Sequence, residues 1–266
     1  MSADGPSPAA LTYSQDGPVA WITLENSARM NAMTSAMWKA LPEMVAKAAA
    51  DPSVRVVVLR GAGDKAFSAG ADISEFGSAR TGAAAEDYDA LNEAAFQALS
   101  NCPKPVIAMI HGFCMGGGLA IALCCDLRLS DEAGQFAIPA AKLGIGYNAR
   151  WVRPILAALP PARAKEMLFT GQRYRATAAF TMGLINRVVP AADLEAATRT
   201  LALEIASNAP LSVAAAKRTI DEIMRHPEAP DLLTLDRLVE ACFQSEDYAE
   251  GQRAFLEKRK PVFTGK

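Results

Sequence analysis

Hydrophobic and polar residues follow one another along the chain in a pattern that predicts strands and helices in turn. Residues 18–24 (PVAWITL) alternate with the two-residue period of a strand, and a short strand is predicted at 126–130. The apolar runs 54–61 (VRVVVLRG) and 104–112 (KPVIAMIHG) are typical of strands buried on both faces. Because strands of this kind need helices on both sides, the pattern favours an α/β fold with largely parallel pairing.

Helical patterns lie between the predicted strands. A helix is predicted to begin near Thr34 and to bend at Pro42, and residues 85–101 form an amphipathic helix. Residues 64–76 are expected to form a short strand and a turn of small residues that leads into a further helix.

The C-terminal part of the chain has a different character. After about Ala191 the segments are helical, with breaks at Pro210, Pro227 and Pro230. We therefore predict a core over residues 1–190, with a loose tail at 1–10, and a helical oligomerisation region over residues 191–266.

Composition restricts the function. Of 266 residues, 51% are hydrophobic and 21% charged, so the chain can bury a large core. A net charge of −2 gives no electrostatic reason for binding nucleic acid or a membrane surface. The five cysteines have no zinc-site spacing, and no signal peptide or membrane span is evident, so we expect a reduced, soluble, cytoplasmic protein. With only two histidines, a histidine-based metal site or a Ser-His-Asp triad is not expected.

Two turns of small residues are candidates for chemistry. The segments 67–72 (FSAGAD) and 114–119 (CMGGGL) each follow a predicted strand and precede a helix. Each leaves backbone N–H groups free, and two such turns side by side would form an oxyanion hole for a carbonyl that gains negative charge. Taken singly, either turn is better explained by a tight turn and close packing of a helix. The motifs of P-loops, dinucleotide sites and nucleophile elbows are absent.

Several motifs together resemble one family. The segment AFSAGADI (66–73), followed by KPVIAMIHGFCMGGGLAIALCCDLRLS (104–130), is similar to the crotonase (enoyl-CoA hydratase/isomerase) superfamily. The resemblance continues through 169–189 to 245–263. It implies a spiral of ββα units with a C-terminal helical region, an acyl-CoA thioester substrate without a further cofactor, and assembly as a homotrimer or a hexamer made of two trimers.

The same resemblance assigns roles to residues. It implies that the N–H groups of Ala71 and Gly117 are the oxyanion-hole donors. The family's lysine in the first loop corresponds to Ala28, with Arg29 one place later. The residues expected to contact the substrate or its CoA part are Arg29, Met30, Ser68, Ala69, Gly70, Asp72, Ile73 and Gly116, joined by Phe255 and Lys258 from a neighbouring subunit.

The two acids of the family's hydratases are missing. Hydration in this family uses two glutamates that activate water and deliver a proton. Their positions correspond to Ala120 and Ala140 in this sequence. Alanine moves no proton, whereas a backbone oxyanion hole needs no side chain, so enolate chemistry remains available without the hydratase pair.

The segment LGIGYN (143–148) looks most like the methylmalonyl-CoA decarboxylase branch, which has a tyrosine at the position of Tyr147 but keeps a glutamate at that of Ala120. We treat Tyr147 and Asn148 as candidate catalytic residues, with Arg150 as a possible polar partner. The alternative for Tyr147 is a side chain packed on the pocket wall.

Other acids of the chain have weaker claims to a catalytic role. Asp72 is expected to cap the following helix, and His111 to make a structural hydrogen bond. Substitutes for the missing acids would have to come from Glu75, or from Glu86, Asp87 and Glu93 of the 85–101 helix.

Three functions stay open on this sequence. The first is a lyase or isomerase of the hydratase type, the second a decarboxylase of a malonyl-type CoA, and the third an acyl-CoA-binding protein with little catalysis. The acyl group is not defined by the sequence.

Overall fold

The computed structural model describes residues 9–75 and 83–266, and within this part ten strands form two sheets. The strands are β1 (Ala10–Asp16), β2 (Val19–Glu25), β3 (Val56–Gly61), β4 (Ala66–Ser68), β5 (Val106–Ile110), β6 (Phe113–Met115), β7 (Leu127–Asp131), β8 (Gln135–Ala137), β9 (Tyr174–Arg175) and β10 (Arg187–Val189). The larger sheet has the order β1-β2-β3-β5-β7-β10, and the smaller has the order β4-β6-β8-β9. Pairing is parallel except between β1 and β2 and between β8 and β9.

Ten α-helices cover these sheets in the described ranges. They are α1 (Ser35–Ala50), α2 (Ala83–Ser100), α3 (Gly117–Leu123), α4 (Ala149–Ala158), α5 (Pro161–Thr170), α6 (Ala176–Thr181), α7 (Leu194–Ala206), α8 (Pro210–Arg225), α9 (Leu232–Phe243) and α10 (Glu246–Leu256). Short 3₁₀ helices occur at Ser27–Arg29, Ile73–Glu75, Ala140–Leu143 and Ala191–Asp193. No helix of the described part is long and apolar enough to cross a membrane.

The chain winds as a spiral in which each turn adds one strand to each sheet and then a helix. The three successive units are β3-β4-α2, β5-β6-α3 and β7-β8-α4. This confirms the predicted α/β class and the spiral of ββα units.

Strand β3 shows why the central strands are apolar throughout. Val57 and Leu59 pack into one buried cluster with the helices of the spiral, while Val56 and Val58 pack into a second cluster against α7. Since alternate residues of a strand point to opposite faces, both faces of β3 are covered, as the apolar run predicts.

The start of the chain differs from the prediction. Ala10 belongs to β1, which pairs antiparallel with β2 along its whole length, so the loose tail does not extend to residue 10. Residues 1–8 lie outside the described part. Because β1 is an edge strand with several exposed polar residues, its pattern is too weak to predict a strand.

Helix α1 begins as predicted, since the Thr34 hydroxyl accepts a hydrogen bond from Met37 N. The helix continues through Pro42 to Ala50.

Candidate active site

The two turns of small residues lie side by side because of strand register. Strands β4 and β6 pair in parallel, with Ser68 opposite Cys114. The carboxyl ends of parallel neighbours meet at the same edge of a sheet. The turn after Ser68 and the turn after Met115 therefore leave the smaller sheet together.

Ala71 has a backbone N–H that donates to no acceptor among the described residues. Its neighbours are fixed on Met33, because Met33 N donates to Gly70 O at 2.7 Å and Asp72 N donates to Met33 O at 2.9 Å. Successive residues of such an extended bridge point in opposite directions, so the Ala71 N–H faces away from Met33.

Gly117 supplies a second donor of the same kind. It is the first residue of α3, where an N–H has no acceptor within the helix. Gly116 N is bonded to Ala137 O at 2.8 Å, whereas Gly117 N donates to no acceptor in the described ranges.

Glycine is required where the two turns touch. A β-carbon on Gly118 would lie 2.7 Å from the side chain of Ser68, and Gly70 has a φ of 99° with only 2.9 Å between an added β-carbon and Met115 O. A β-carbon on Gly117 would lie 3.5 Å from the nitrogen of Ala71. The two unpaired N–H groups are thus close neighbours, and both residues line one cavity of about 120 Å³.

The remaining cavity wall is almost wholly apolar. Its residues outside the two turns are Ile73, Asn92, Phe96, Ala120, Ile138, Pro139, Ala140, Leu143, Ile145, Tyr147 and Trp151. Among the lining residues that the structure describes there is no aspartate, glutamate, histidine, lysine or arginine. Ala120 and Ala140, the positions at which the resemblance implies acids in a hydratase, line this cavity with methyl groups.

Tyr147 and Asn148 are adjacent in sequence but separate in the site. Tyr147 lines the cavity and packs edge-to-face on Trp151, with ring centroids 5.3 Å apart. Asn148 is not a lining residue, and its Oδ1 accepts a hydrogen bond from Trp151 N at 3.1 Å. It is the N-cap of α4, which explains an asparagine here without a catalytic role.

The candidate substitute acids are engaged elsewhere. Glu75 accepts hydrogen bonds from Ser35 N at 2.8 Å and Ser35 Oγ at 2.7 Å at the start of α1. Glu93 pairs with Arg150, so Arg150 is also directed to a surface ion pair. Glu86 and Asp87 are exposed on α2. None of these acids lines the cavity.

Arg29 and Asp72 form an ion pair next to the Ala71 turn. The Arg29 guanidinium donates to both carboxylate oxygens at 2.7–2.8 Å, and Asp72 also accepts from Ser74 N at 3.0 Å and Ser74 Oγ at 2.7 Å. Burial opposes ionisation of Asp72, but the hydrogen bonds from Ser74 and the charge of Arg29 outweigh it and lower the pKa of the carboxyl. The predicted helix cap is therefore a cap of the 3₁₀ turn Ile73–Glu75.

The other residues predicted to contact CoA divide into two groups. Met30 and Ile73 are exposed apolar side chains, and Ile73 lines the cavity together with Ala69, Gly70 and Gly116. Ser68 is fully buried, and its hydroxyl donates to Asn31 O at 2.8 Å and accepts from Gly70 N at 3.1 Å. The Ser68 side chain therefore stabilises the turn by these two hydrogen bonds.

Phe255 and Lys258 lie far along the chain and are not lining residues of this cavity. Phe255 is 84% exposed and lines a separate groove among α8, α9 and α10. Lys258 follows α10 with a φ of 55°. Their contact with CoA stays a prediction that requires a neighbouring subunit.

Two groups set aside by the sequence analysis have structural roles. His111 Nδ1 and Asp131 Oδ2 are 2.9 Å apart, which confirms the predicted hydrogen bond. All five cysteines are free, and burial raises the pKa of the Cys124 thiol to about 12. Within residues 9–75 and 83–266, no three potential ligands of the His, Cys, Asp and Glu types cluster to hold a metal.

Asn92 is a site residue that the sequence analysis missed. It lies on α2, is buried, and lines the cavity. The signal is present in the sequence, since Asn92 falls on the apolar face of the helix, four residues after Tyr88 and three before Ala95.

Known proteins of one family are similar to this chain in sequence and in fold. The sequence model of the family described as "Enoyl-CoA hydratase/isomerase" matches residues 14–266. The chain is 33% identical to the short-chain-enoyl-CoA hydratase of Clostridium acetobutylicum, over 92% of this chain and 94% of that protein. It is 34% identical to the carnitinyl-CoA dehydratase of Salmonella enteritidis, over 97% of this chain and 99% of that protein. A crystal structure of an enoyl-CoA hydratase/carnithine racemase from Magnetospirillum magneticum superposes with a TM-score of 0.93 at 39% identity, covering 96% of each chain.

Proposed function

The chain belongs to the enoyl-CoA hydratase/isomerase family, and we propose that it converts an acyl-CoA thioester through an enolate held by the N–H groups of Ala71 and Gly117. The observation that carries this proposal is the pair of unpaired backbone donors on one small cavity. An isolated turn explains one unpaired N–H. Two from different ββα units that meet at one cavity fit a carbonyl oxygen.

The chemistry follows from the fixed position of the donors. When the thioester becomes an enolate, negative charge collects on its oxygen. Donors that are already oriented stabilise this charge without reorganising, and one such donor is worth about 10²- to 10³-fold in rate. The apolar wall strengthens the effect because it keeps water away from the charge.

The reaction depends on how the enolate is formed. Hydration needs groups that activate water and deliver a proton, and the cavity lining offers no carboxylate for either task. The hydratase assignment is supported by the relatives and not by the side chains of this site.

Decarboxylation of a malonyl-type thioester is the second candidate, and the acid-free lining with Tyr147 favours it. In this reaction the bond between Cα and the carboxylate carbon breaks, and its electron pair moves into the thioester to give the enolate and CO₂. Water then supplies the proton at Cα, so no catalytic base is required. The Tyr147 hydroxyl would orient the carboxylate. The apolar wall would favour conversion of the charged carboxylate to neutral CO₂, with the negative charge passing to the enolate oxygen.

A paired assay tests these candidates. Crotonyl-CoA hydration is followed by the loss of enoyl absorbance, and methylmalonyl-CoA decarboxylation by the release of CO₂ and propionyl-CoA. We expect decarboxylation to exceed hydration at equal thioester concentration. Rapid hydration of crotonyl-CoA without decarboxylation would contradict the decarboxylase candidate. Tight binding of both thioesters without turnover would support an acyl-CoA-binding protein and contradict the enolate proposal.

The assembly belongs to the same proposal. We propose that residues 191–266 hold the protein as a homotrimer or as a hexamer of two trimers, without a cofactor other than the CoA of the substrate. The apolar groove lined by Ile220, Val239, Phe243 and Phe255 supports it. Analytical ultracentrifugation tests it, since a monomer at micromolar concentration would contradict the assembly and the assignment of Phe255 and Lys258 to a neighbour's CoA.

A further inference from the structure

Asn92 is a polar residue in an otherwise apolar part of the cavity wall. Its side chain is buried, with 4% of the residue exposed, and Phe96 lies one helical turn further along the same wall. The Nδ2 group donates to Tyr88 O at 2.6 Å, in the preceding turn of α2. This bond fixes the orientation of the amide.

The other end of the amide has no donor. Asn92 Oδ1 accepts no hydrogen bond from any residue that the structure describes. This oxygen is not among the described side-chain atoms that are both fully buried and unpaired, so it keeps some accessible surface. The cavity, which Asn92 lines, is the place from which a donor can reach it.

The polar groups of the cavity complement one another. Ala71 and Gly117 present N–H donors to the thioester oxygen, whereas Asn92 presents an acceptor from α2. An acceptor attracts a hydroxyl or an amine and repels a carboxylate. A substrate carboxylate would accordingly lie toward Tyr147 and not toward Asn92.

We propose that Asn92 determines specificity for acyl chains that carry a hydrogen-bond donor, such as a hydroxyl, beyond the reacting carbons. The inference rests on the proposed function, because it assumes that the thioester occupies this cavity. The reacting carbons lie near Ala71, Gly117 and Ala120, on the turns and α3. Asn92 lines the same cavity from a different helix, and the proposal assigns it to the part of the acyl chain beyond the reacting carbons.

The test compares two thioesters that differ by one oxygen atom, crotonyl-CoA and (E)-4-hydroxybut-2-enoyl-CoA. The trans double bond prevents the hydroxyl from closing a lactone with the thioester. The discrimination is the ratio of their Kd values, or of their kcat/KM values where the thioester is consumed. The wild-type protein is expected to prefer the hydroxylated thioester about three- to tenfold, as one added hydrogen bond predicts.

Two variants separate the acceptor from a structural role of the side chain. Asn92→Leu and Asn92→Asp both lose the amide group that donates to Tyr88 O, but only Asn92→Asp keeps an oxygen acceptor. We expect Asn92→Leu to lose the preference between the two thioesters, whatever its affinity for crotonyl-CoA, and Asn92→Asp to keep the preference.

The outcomes distinguish this inference from the proposed function. Equal affinity of the wild-type protein for the two thioesters, or an unchanged preference in Asn92→Leu, would overturn the role of Asn92 alone. Failure of both thioesters to bind would overturn the proposed function together with it.

Discussion

The nitrogen of Ala71 lies so close to Gly117 that a β-carbon on Gly117 would be 3.5 Å from it. The two residues are 46 positions apart in sequence and belong to consecutive ββα units. Parallel pairing of β4 with β6 brings them together. We propose that these two N–H groups bind one thioester oxygen.

Gly117→Pro removes one donor while keeping the helix. Gly117 is the first residue of α3, a position where proline is well tolerated because the N–H has no helical partner. We expect turnover of the best acyl-CoA substrate to fall about 10²- to 10³-fold. Steady-state kinetics on the substrate found by the paired assay measures this loss.

Gly117→Ala is the matched control for that variant. Its β-carbon meets the same Trp38 ring, 3.2 Å away, but its N–H remains. Turnover in the alanine variant is expected to stay within about tenfold of the wild type. If both variants lose activity equally, the steric contact and not the lost donor is responsible, and the role of the Gly117 N–H is wrong.

Restoring the missing acids tests the account of Ala120 and Ala140. Both residues line the cavity, so a longer side chain at either position has space to enter it. The double variant Ala120→Glu/Ala140→Glu is expected to hydrate crotonyl-CoA at least about 10²-fold faster than the wild type. The neutral variant Ala120→Gln/Ala140→Gln has the same shape and is expected to gain nothing. An equal gain in both variants would show that acid-base chemistry is not what the wild type lacks.

The glycine motifs made the centre of the site predictable from sequence. An apolar strand is followed directly by Gly116, Gly117 and Gly118. This order indicates a turn before a helix, and the signal is independent of residues elsewhere in the chain. The central strands were predictable for a similar reason, since β3 is apolar on both faces.

Other features depend on information that is not local. Strand β1 is not predicted from the sequence, because this edge strand has exposed polar residues and therefore a weak apolar pattern. The cap role of Asn148 follows only once α4 is known to begin at Ala149. From the periodicity of α2, the sequence shows only that a polar residue, Asn92, interrupts an apolar helix face. Only the structure shows that this face of α2 lines the cavity.

Tyr147→Phe distinguishes a role in orienting the substrate from a role in packing. The phenyl ring keeps the edge-to-face contact with Trp151, so unfolding stability is expected to change by less than about 1 kcal/mol. If decarboxylation uses the hydroxyl, kcat for methylmalonyl-CoA falls about tenfold or more, while the Kd of propionyl-CoA stays the same. Unchanged kcat would assign Tyr147 to the wall of the pocket.

Asp72 predicts a specific pH dependence of stability. Its pKa is lowered in the folded protein, so its hydrogen bonds with Ser74 and its ion pair with Arg29 stabilise the fold at pH values above the unfolded pKa of about 3.9. This contribution is lost as pH falls through the lower folded pKa. Urea unfolding at pH 7 is expected to show Asp72→Asn less stable than the wild type by about 1–3 kcal/mol.

The difference in unfolding free energy between the wild type and Asp72→Asn, measured between pH 5 and pH 3, checks the direction of the pKa shift of Asp72. The stability difference between the wild type and Asp72→Asn should be constant down to about pH 4 and shrink below it, because the carboxyl of the unfolded wild-type chain takes up a proton there, whereas the folded protein takes it up only at lower pH. A difference that grows as pH falls would mean that the pKa of Asp72 is raised on folding, which contradicts the stabilising pair with Arg29.

Isotope-edited infrared spectroscopy of a bound acyl-CoA whose thioester carbonyl carries ¹³C reports directly on hydrogen bonds from the two N–H groups. Hydrogen bonds from Ala71 and Gly117 would polarise the carbonyl, so its stretching frequency is expected to be lower in the complex with the wild-type protein and with Gly117→Ala than in water. In Gly117→Pro the frequency should move back toward the value in water. A bound carbonyl with the same frequency in all three proteins would contradict the claim that these two N–H groups hold the thioester oxygen.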